Sequence, residues 1–320
     1  MRTFLAAFLM ALGIAAVSTS PVLNLARRLR LYDKPDGVRK IHSDEIPRLG
    51  GIAIAAGFLS PLIALLFYTN TFAAELRGNG PRVQAFFIGA LAILGLGIYD
   101  DIRGCGAWAK LGVQSAVGIL LWSSGLRFDS FSFLGTGYEL GIWSLPITML
   151  WIAGIINAMN LIDGMDGLAA GVSVFASLAL FFIAIMDGNT ILALFACVLC
   201  GACMGFLLYN FSPALIFMGD SGSMGIGYMF AVASLWSVGK RSTALALILP
   251  AVALGLPILD TFLAFGRRAA RGTSPFHSDR EHIHHRLLDL GLSPRQAVLV
   301  LYLVCGVLTG VVVLLRAWMQ

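Results

Sequence analysis

The segment 157–168, NAMNLIDGMDGL, places Asn157, Asn160, Asp163 and Asp166 three residues apart where a long apolar run ends. Positions i, i+3, i+6 and i+9 of a helix form one slowly drifting stripe, so these amides and carboxylates are expected to face one direction. Four clustered oxygen ligands, two of them anionic, suit a hard cation such as Mg²⁺. Gly164 and Gly167 leave the backbone free to open there or to approach a ligand closely. A polar helix end capped by amides would account for an isolated N-x-x-N motif, but less readily for four positions in register.

Other stretches carry the same kind of chemistry. In IYDDIRG, Asp100 and Asp101 form an adjacent pair that follows directly after an apolar helix. Such a pair is either a solvated turn or two repelling charges that a cation or phosphate-bearing partner relieves. In NFSPALIFMGDSGS (210–223), Asp220 stands between Gly219 and Ser221 at an expected helix start. The exposed N–H groups there favour phosphate, while Asp220 serves as a cation ligand or as a helix cap. Asn210 and Phe217 nearby could hydrogen-bond and stack on a planar base, or pack the loop.

In SDREHIHHRLLDLG (278–291), Ser278 and Glu281 make a capping box, and Gly291 supplies a stop. The short amphipathic helix between them carries His282, His284, His285 and Arg286. Neighbouring histidines 284 and 285 diverge by about 100°, which disfavours zinc. Imidazoles and an arginine fit acidic phosphates, and the same composition fits a solvated helix on a membrane surface. Lys40 and Arg48 lie in RKIHSDEIPRLGG (39–51), where basic charge serves membrane orientation as well as any ligand. Asp260 is the one acid well inside an apolar run, and pairing with a neighbour explains it as readily as function.

The elements that position these residues follow from composition. The chain is 58% hydrophobic and 12% charged, with a mean hydropathy of +0.85. Soluble domains carry about 25% charged residues. An all-α polytopic membrane protein is expected, as a single domain over 1–320, without internal repeats. Spans of about 20 apolar residues fall near 3–24, 49–69, 83–99, 108–125, 143–160, 168–187, 189–209, 223–238, 242–265 and 297–318. These make ten spans, or eleven if the polar segment 127–141 also crosses. That segment alternates around a glycine turn and reads better as a small outer hairpin.

Fifteen of the 22 basic residues fall in the connections after odd-numbered spans. The positive-inside rule makes that face cytoplasmic, with both termini outside. The first helix is retained rather than cleaved, since cleavage would export the basic 26–48 loop. Asp100, Asp101, Asp163, Asp166, Asp220 and the histidine helix then share the cytoplasmic face. The net charge of +5 reports topology and anionic ligands, not nucleic acid. Cys197, Cys200 and Cys203 share a helix face with small residues, which reads as packing rather than a metal site.

In this order, IYDDIRG, NAMNLIDGMDGLAAG, FMGDSGS and EHIHHRL resemble the polyprenyl-phosphate N-acetylhexosamine-1-phosphate transferase family (glycosyltransferase family 4). RKIHSDEIPRLGG is similar to that family's first cytoplasmic motif, so the resemblance runs from about 39 to 290. The H-I-H-H pattern is similar to the branch using UDP-GlcNAc and undecaprenyl phosphate. The branch transferring phospho-MurNAc-pentapeptide, with an uninterrupted histidine triplet, ranks second.

The resemblance implies transfer of a sugar-1-phosphate from a UDP-N-acetylhexosamine to undecaprenyl phosphate, releasing UMP, in a bacterial plasma membrane. It implies Mg²⁺, replaceable by Mn²⁺, held by Asp220 and Asn160. It places Asp163 and Asp166 along the nucleotide and metal site, Asn210 and Phe217 at uracil, and Asp100 or Asp101 at the lipid phosphate. Lys40, Arg48 and the histidine helix with Arg286 would hold sugar or diphosphate, with Asn157 and Ser221 lining the substrate. The sequence fits a monomer or a homodimer equally. A transporter would gather polar residues near midplane, and a non-catalytic lipid-binding paralogue would lack the metal acids.

Overall fold

The structure, a computed structural model, describes residues 1–33, 45–68, 71–133, 136–237 and 283–318. The expected span 242–265 with Asp260 lies outside the described residues, as do Lys40 and His282. Helices α1 (Arg2–Arg28), α2 (Gly50–Leu66), α3 (Thr71–Gly78), α4 (Gly80–Arg103) and α5 (Ala107–Ser123) come first. They are followed by α6 (Ser144–Ile162), α7 (Leu168–Met186), α8 (Thr190–Asn210), α9 (Gly219–Ser237), α10 (Ile283–Asp289) and α11 (Pro294–Trp318).

The chain is an all-α polytopic membrane protein. Among the described residues, α1, α4, α6 (with the 3₁₀ turn Gly141–Trp143 before it), α7, α8 and α11 are long and apolar enough to cross a membrane. Helix α2 is apolar but shorter. Of the other two expected spans, α5 and α9 have 17 and 19 residues. Residues 127–141 do not span: strands β3 (Ser130–Phe133) and β4 (Thr136–Glu139) pair antiparallel, Ser130 opposite Glu139. Two shorter strands, β1 (Tyr32–Asp33) and β2 (Ile46–Pro47), pair beside the start of α2.

Three local expectations are corrected. Helix α4 runs on to Arg103, so Asp100 and Asp101 occupy its last turn instead of following it. The stop is Gly104, whose φ of +74° L-residues avoid and whose N–H donates to Asp100 O at 2.8 Å. The connection before α4, expected as loop, holds α3, which buries Ala73 and Leu76. The third correction concerns the 157–166 stripe: α6 ends at Ile162, leaving Asp163 as its C-cap and Asp166 in the turn. Gly167 at φ +74° starts α7 afresh, and a helical continuation through it is lost.

Helix α8 lies at the centre, packed by α1, α2 and α7. In lipid, apolar surface gives no net drive between helices, so close van der Waals approach has to supply it. Gly201 and Gly205 permit that approach: a Cβ on either would lie 2.5 Å from Phe8 O or 2.3 Å from Leu12 O of α1. Between α2, α4, α8 and α9, Phe86 stacks on Phe195 at 4.9 Å, and the Tyr228 hydroxyl donates to Phe86 O at 2.8 Å. Helix α11 closes over α7, where the Tyr302 hydroxyl donates to Gly167 O at 2.6 Å.

Because a backbone oxygen cannot rotate away, Gly205→Leu is expected to lower detergent-phase unfolding stability by about 1–3 kcal/mol, the range of overpacked cores. Gly154→Leu, where a Cβ meets nothing within 4 Å, should leave the thermal midpoint near the wild-type value. Scanning both variants by intrinsic fluorescence checks the contrast.

Candidate active site

Two glycine-lined helices admit the start of α9. A Cβ on Gly51 of α2 would lie 2.1 Å from Gly222 N, and one on Gly97 of α4 would lie 2.4 Å from Ser221 Cα. The preceding loop is stitched to the 46–51 segment by backbone bonds. Phe217 N donates to Pro47 O (2.8 Å), Gly50 N to Phe217 O (2.9 Å) and Gly51 N to Met218 O (2.8 Å). These contacts leave the first turn of α9 directly against the last turn of α4.

There Asp101 acts as a cap supplied from another helix. Its Oδ1 accepts the Asp220 N–H at 2.8 Å and its Oδ2 the Ser221 N–H at 3.1 Å. Unsatisfied N–H groups and the positive end of the helix dipole both favour a carboxylate at this spot. The two N–H groups that a phosphate was expected to find are therefore engaged by Asp101. Gly219, at φ +68°, leaves room: a Cβ there would lie 2.5 Å from Asp101 Oδ1.

Asp100, one residue earlier, turns to a different partner. The Lys110 ammonium in the first turn of α5 lies 2.9 Å from Asp100 Oδ2 and 2.5 Å from Asp220 Oδ2. Asn160 of α6 donates to Ser223 Oγ at 2.9 Å and also hydrogen-bonds Asp220. Asp163 stands beside this group, and its carboxyl is pushed well above the ordinary carboxylate range, first by burial and then by the charges of Asp220 and Asp101. Arg48 pulls it the other way, while itself ion-paired to Asp33.

The remaining expected residues take varied places. Asp166 Oδ2 accepts the Ala214 N–H at 3.0 Å, tying the α6–α7 turn to the 211–218 loop. Asn210 is buried and donates to Ile216 O at 2.9 Å, and its Oδ1 is buried without a hydrogen-bond partner among the described residues. Phe217 is half-buried in that loop, and Ser221 is buried with its hydroxyl directed at Met218 O. Asn157 is bonded to Gln114 of α5 at 2.8 Å, not to the acids. His284 and His285 lie on α10, and Arg286 is exposed there. Leu287 and Leu288 of the same helix pack against the cluster that Met165, Leu168 and Val172 form with Ala297, Val298, Leu301 and Cys305 of α11, and α10 lies against α11.

Sequence reasoning missed Lys110, Ser223, Gln114 and Asp33. Lys110 was read only as orienting charge in the short connection after α4. No local pattern marks it as the partner of an acid 110 residues away.

As a cation site the arrangement is open. Among the described residues no three acidic, histidine or cysteine side chains close around one point, and both Asp101 oxygens are already engaged. Asp100, Asp220 and the Asn160 amide remain. Mg²⁺ characteristically uses one or two carboxylates and completes its shell with water and substrate phosphates. The donor set fits that pattern, and the ammonium between Asp100 and Asp220 shows that these oxygens accept a cation.

Residues 83–238 match the model of glycosyl transferase family 4. The chain is 40% identical over 300 residues, 93% of its length and 81% of the relative, to a probable undecaprenyl-phosphate N-acetylglucosaminyl 1-phosphate transferase of Bacillus subtilis. It is 35% identical to a decaprenyl-phosphate N-acetylglucosaminephosphotransferase of Mycobacterium tuberculosis, across 92% of this chain and 78% of that one. An undecaprenyl-phosphate alpha-N-acetylglucosaminyl 1-phosphate transferase of Escherichia coli K12 is 30% identical over 91% of this chain and 78% of its own. With its motifs, its membrane-helix architecture and relatives matched over nine tenths of its length, the chain belongs to glycosyl transferase family 4.

Proposed function

We propose that the protein transfers a sugar-1-phosphate, GlcNAc-1-phosphate in the first instance, from its UDP donor to undecaprenyl phosphate, yielding the lipid diphosphate sugar and UMP. The observation that carries this reading is the gathering of Asp100, Asp101, Asp163, Asp220 and Lys110 at one end of an apolar bundle. A reaction joining a membrane-dissolved phosphate to a water-borne nucleotide requires a charged site at that boundary. The relatives' names supply the substrate class. Basic connections on the same face support a cytoplasmic orientation in a bacterial plasma membrane.

The lipid phosphate attacks the β-phosphorus of the donor in line, with UMP leaving on the far side. A phosphate monoester has a second pKa of about 6, so the nucleophile is already largely ionised at neutral pH. Asp100 therefore serves to orient the lipid head more than to deprotonate it, and no phospho-aspartate forms. Asp101 holds the start of α9, and Asn160 fixes Asp220. Arg48, Lys40, the three histidines of 282–285 and Arg286 supply positive charge for the diphosphate and sugar, while Asn210 and Phe217 meet the base. Mg²⁺ bound at Asp220 and Asp100 would screen the charge shared by attacking and leaving oxygens.

Purified protein with Mg²⁺, undecaprenyl phosphate and a panel of UDP-N-acetylhexosamines should release UMP with UDP-GlcNAc, dependent on lipid. Asp220→Ala should lose about 10²-fold or more of kcat, the scale of a removed charge-stabilising group. Release with UDP-MurNAc-pentapeptide alone would move the protein to that branch, and folded protein inactive with every donor would sink the enzyme reading.

Asp163 gives a second expectation. Its raised pKa lets the cation-free site hold a proton that an arriving cation expels, so Mg²⁺ affinity should fall as pH falls. Calorimetric titration in two buffers of different ionisation enthalpy measures the released proton. Asp163→Asn should remove it.

A further inference from the structure

Lys110 has a place in this site that its charge alone does not explain. Its ammonium touches the two carboxylates, Asp100 and Asp220, that are left open for a cation. Lys110 is only 20% exposed, against 14% for Asp100 and 24% for Asp220, so little water screens the three. Asp101 cannot replace either acid, because two backbone N–H groups hold its oxygens. Arg48 cannot replace the lysine, because it is paired with Asp33.

We propose that Lys110 is a resident counter-ion that a divalent cation displaces. The inference rests on the cation reading given under the proposed function. Without a cation, the ammonium holds Asp100 and Asp220 together against their mutual repulsion. A divalent ion claims the same oxygens and repels the ammonium at contact distance. The displaced side chain, anchored in the first turn of α5, then needs a new anionic partner beside the ion, and a nucleoside diphosphate provides one. Lys110 thereby links the two binding events: the cation is held weakly alone and more tightly once the diphosphate receives the lysine. Linkage makes the converse hold as well, so the cation strengthens diphosphate binding by the same factor.

The test is a Mn²⁺ titration followed by electron paramagnetic resonance on the full protein in detergent, with and without UDP. Substrate-free Lys110→Met should bind Mn²⁺ about 5-fold or more tightly than wild type, and UDP should improve its Mn²⁺ affinity by a smaller factor than in wild type. Turnover should nevertheless fall. Lys110→Arg, which keeps the charge, should return Mn²⁺ affinity toward wild type and shows that the position tolerates replacement. Equal or weaker Mn²⁺ binding by a folded Lys110→Met protein would overturn the exchange. So would an undiminished UDP effect. Wild-type protein that binds no Mn²⁺ under either condition would overturn the cation reading itself, a separate result.

Discussion

Like-charge repulsion among carboxylates at the mouth of an apolar bundle is the constraint that orders the rest of this structure. Asp100, Asp101, Asp163 and Asp220 come from three helices and lie close enough for Asp163 to feel Asp101 and Asp220. Three devices stabilise the four. Asp101 is held by two backbone N–H groups at the positive end of α9. Asp100 and Asp220 share one ammonium, and Asp163 moves toward its neutral form. Three responses to one electrostatic problem leave the acids adjacent.

That adjacency depends on backbone approach distances only glycine allows. Gly51 and Gly97 flank Ser221 and Gly222 so tightly that a methyl at either would fall within 2.4 Å of backbone atoms. Deeper in the bundle Gly201 and Gly205 bring α8 onto α1 by the same means. Lipid does not push apolar helices together, so the interdigitation that positions the site is also what holds the bundle. Tyr302 belongs to this logic. Its hydroxyl bonds Gly167 O, fastening the turn that lets Asp163 leave the α6 register.

Much of the acid layer was legible because charge is costly in a chain this apolar. An acid at the end of a hydrophobic run marks a membrane surface, and alternation of spans sends Asp100, Asp163 and Asp220 to the same one. The β3–β4 hairpin was legible for a related reason, since 127–141 is too polar to sit in lipid. Partner choice was not legible. The cap on α9 comes from a residue 119 positions earlier, and Lys110 meets Asp220 across 110; local pattern carries neither. The stripe through Asn157 failed for a local reason that spacing hides. Gly167 adopts a conformation outside the helix, and Asn157 finds Gln114 inside the bundle.

The two ends of the bundle balance charge differently, and the difference bears on function. At the end opposite the acids, Asp187 closing α7 pairs with Arg316 of α11, and Asp129 pairs with Arg127. Each of those two acids has its own arginine. At the other end, among the described residues, Asp100 and Asp220 share Lys110, Asp101 rests on two backbone N–H groups, and Arg48 faces Asp33. Among the described residues the acids at this end outnumber their cationic partners, and like charges held close cost stability. On the function proposed above, a cation entering with its phosphate ligands would relieve that repulsion, so the site would be most stable in the state in which it works.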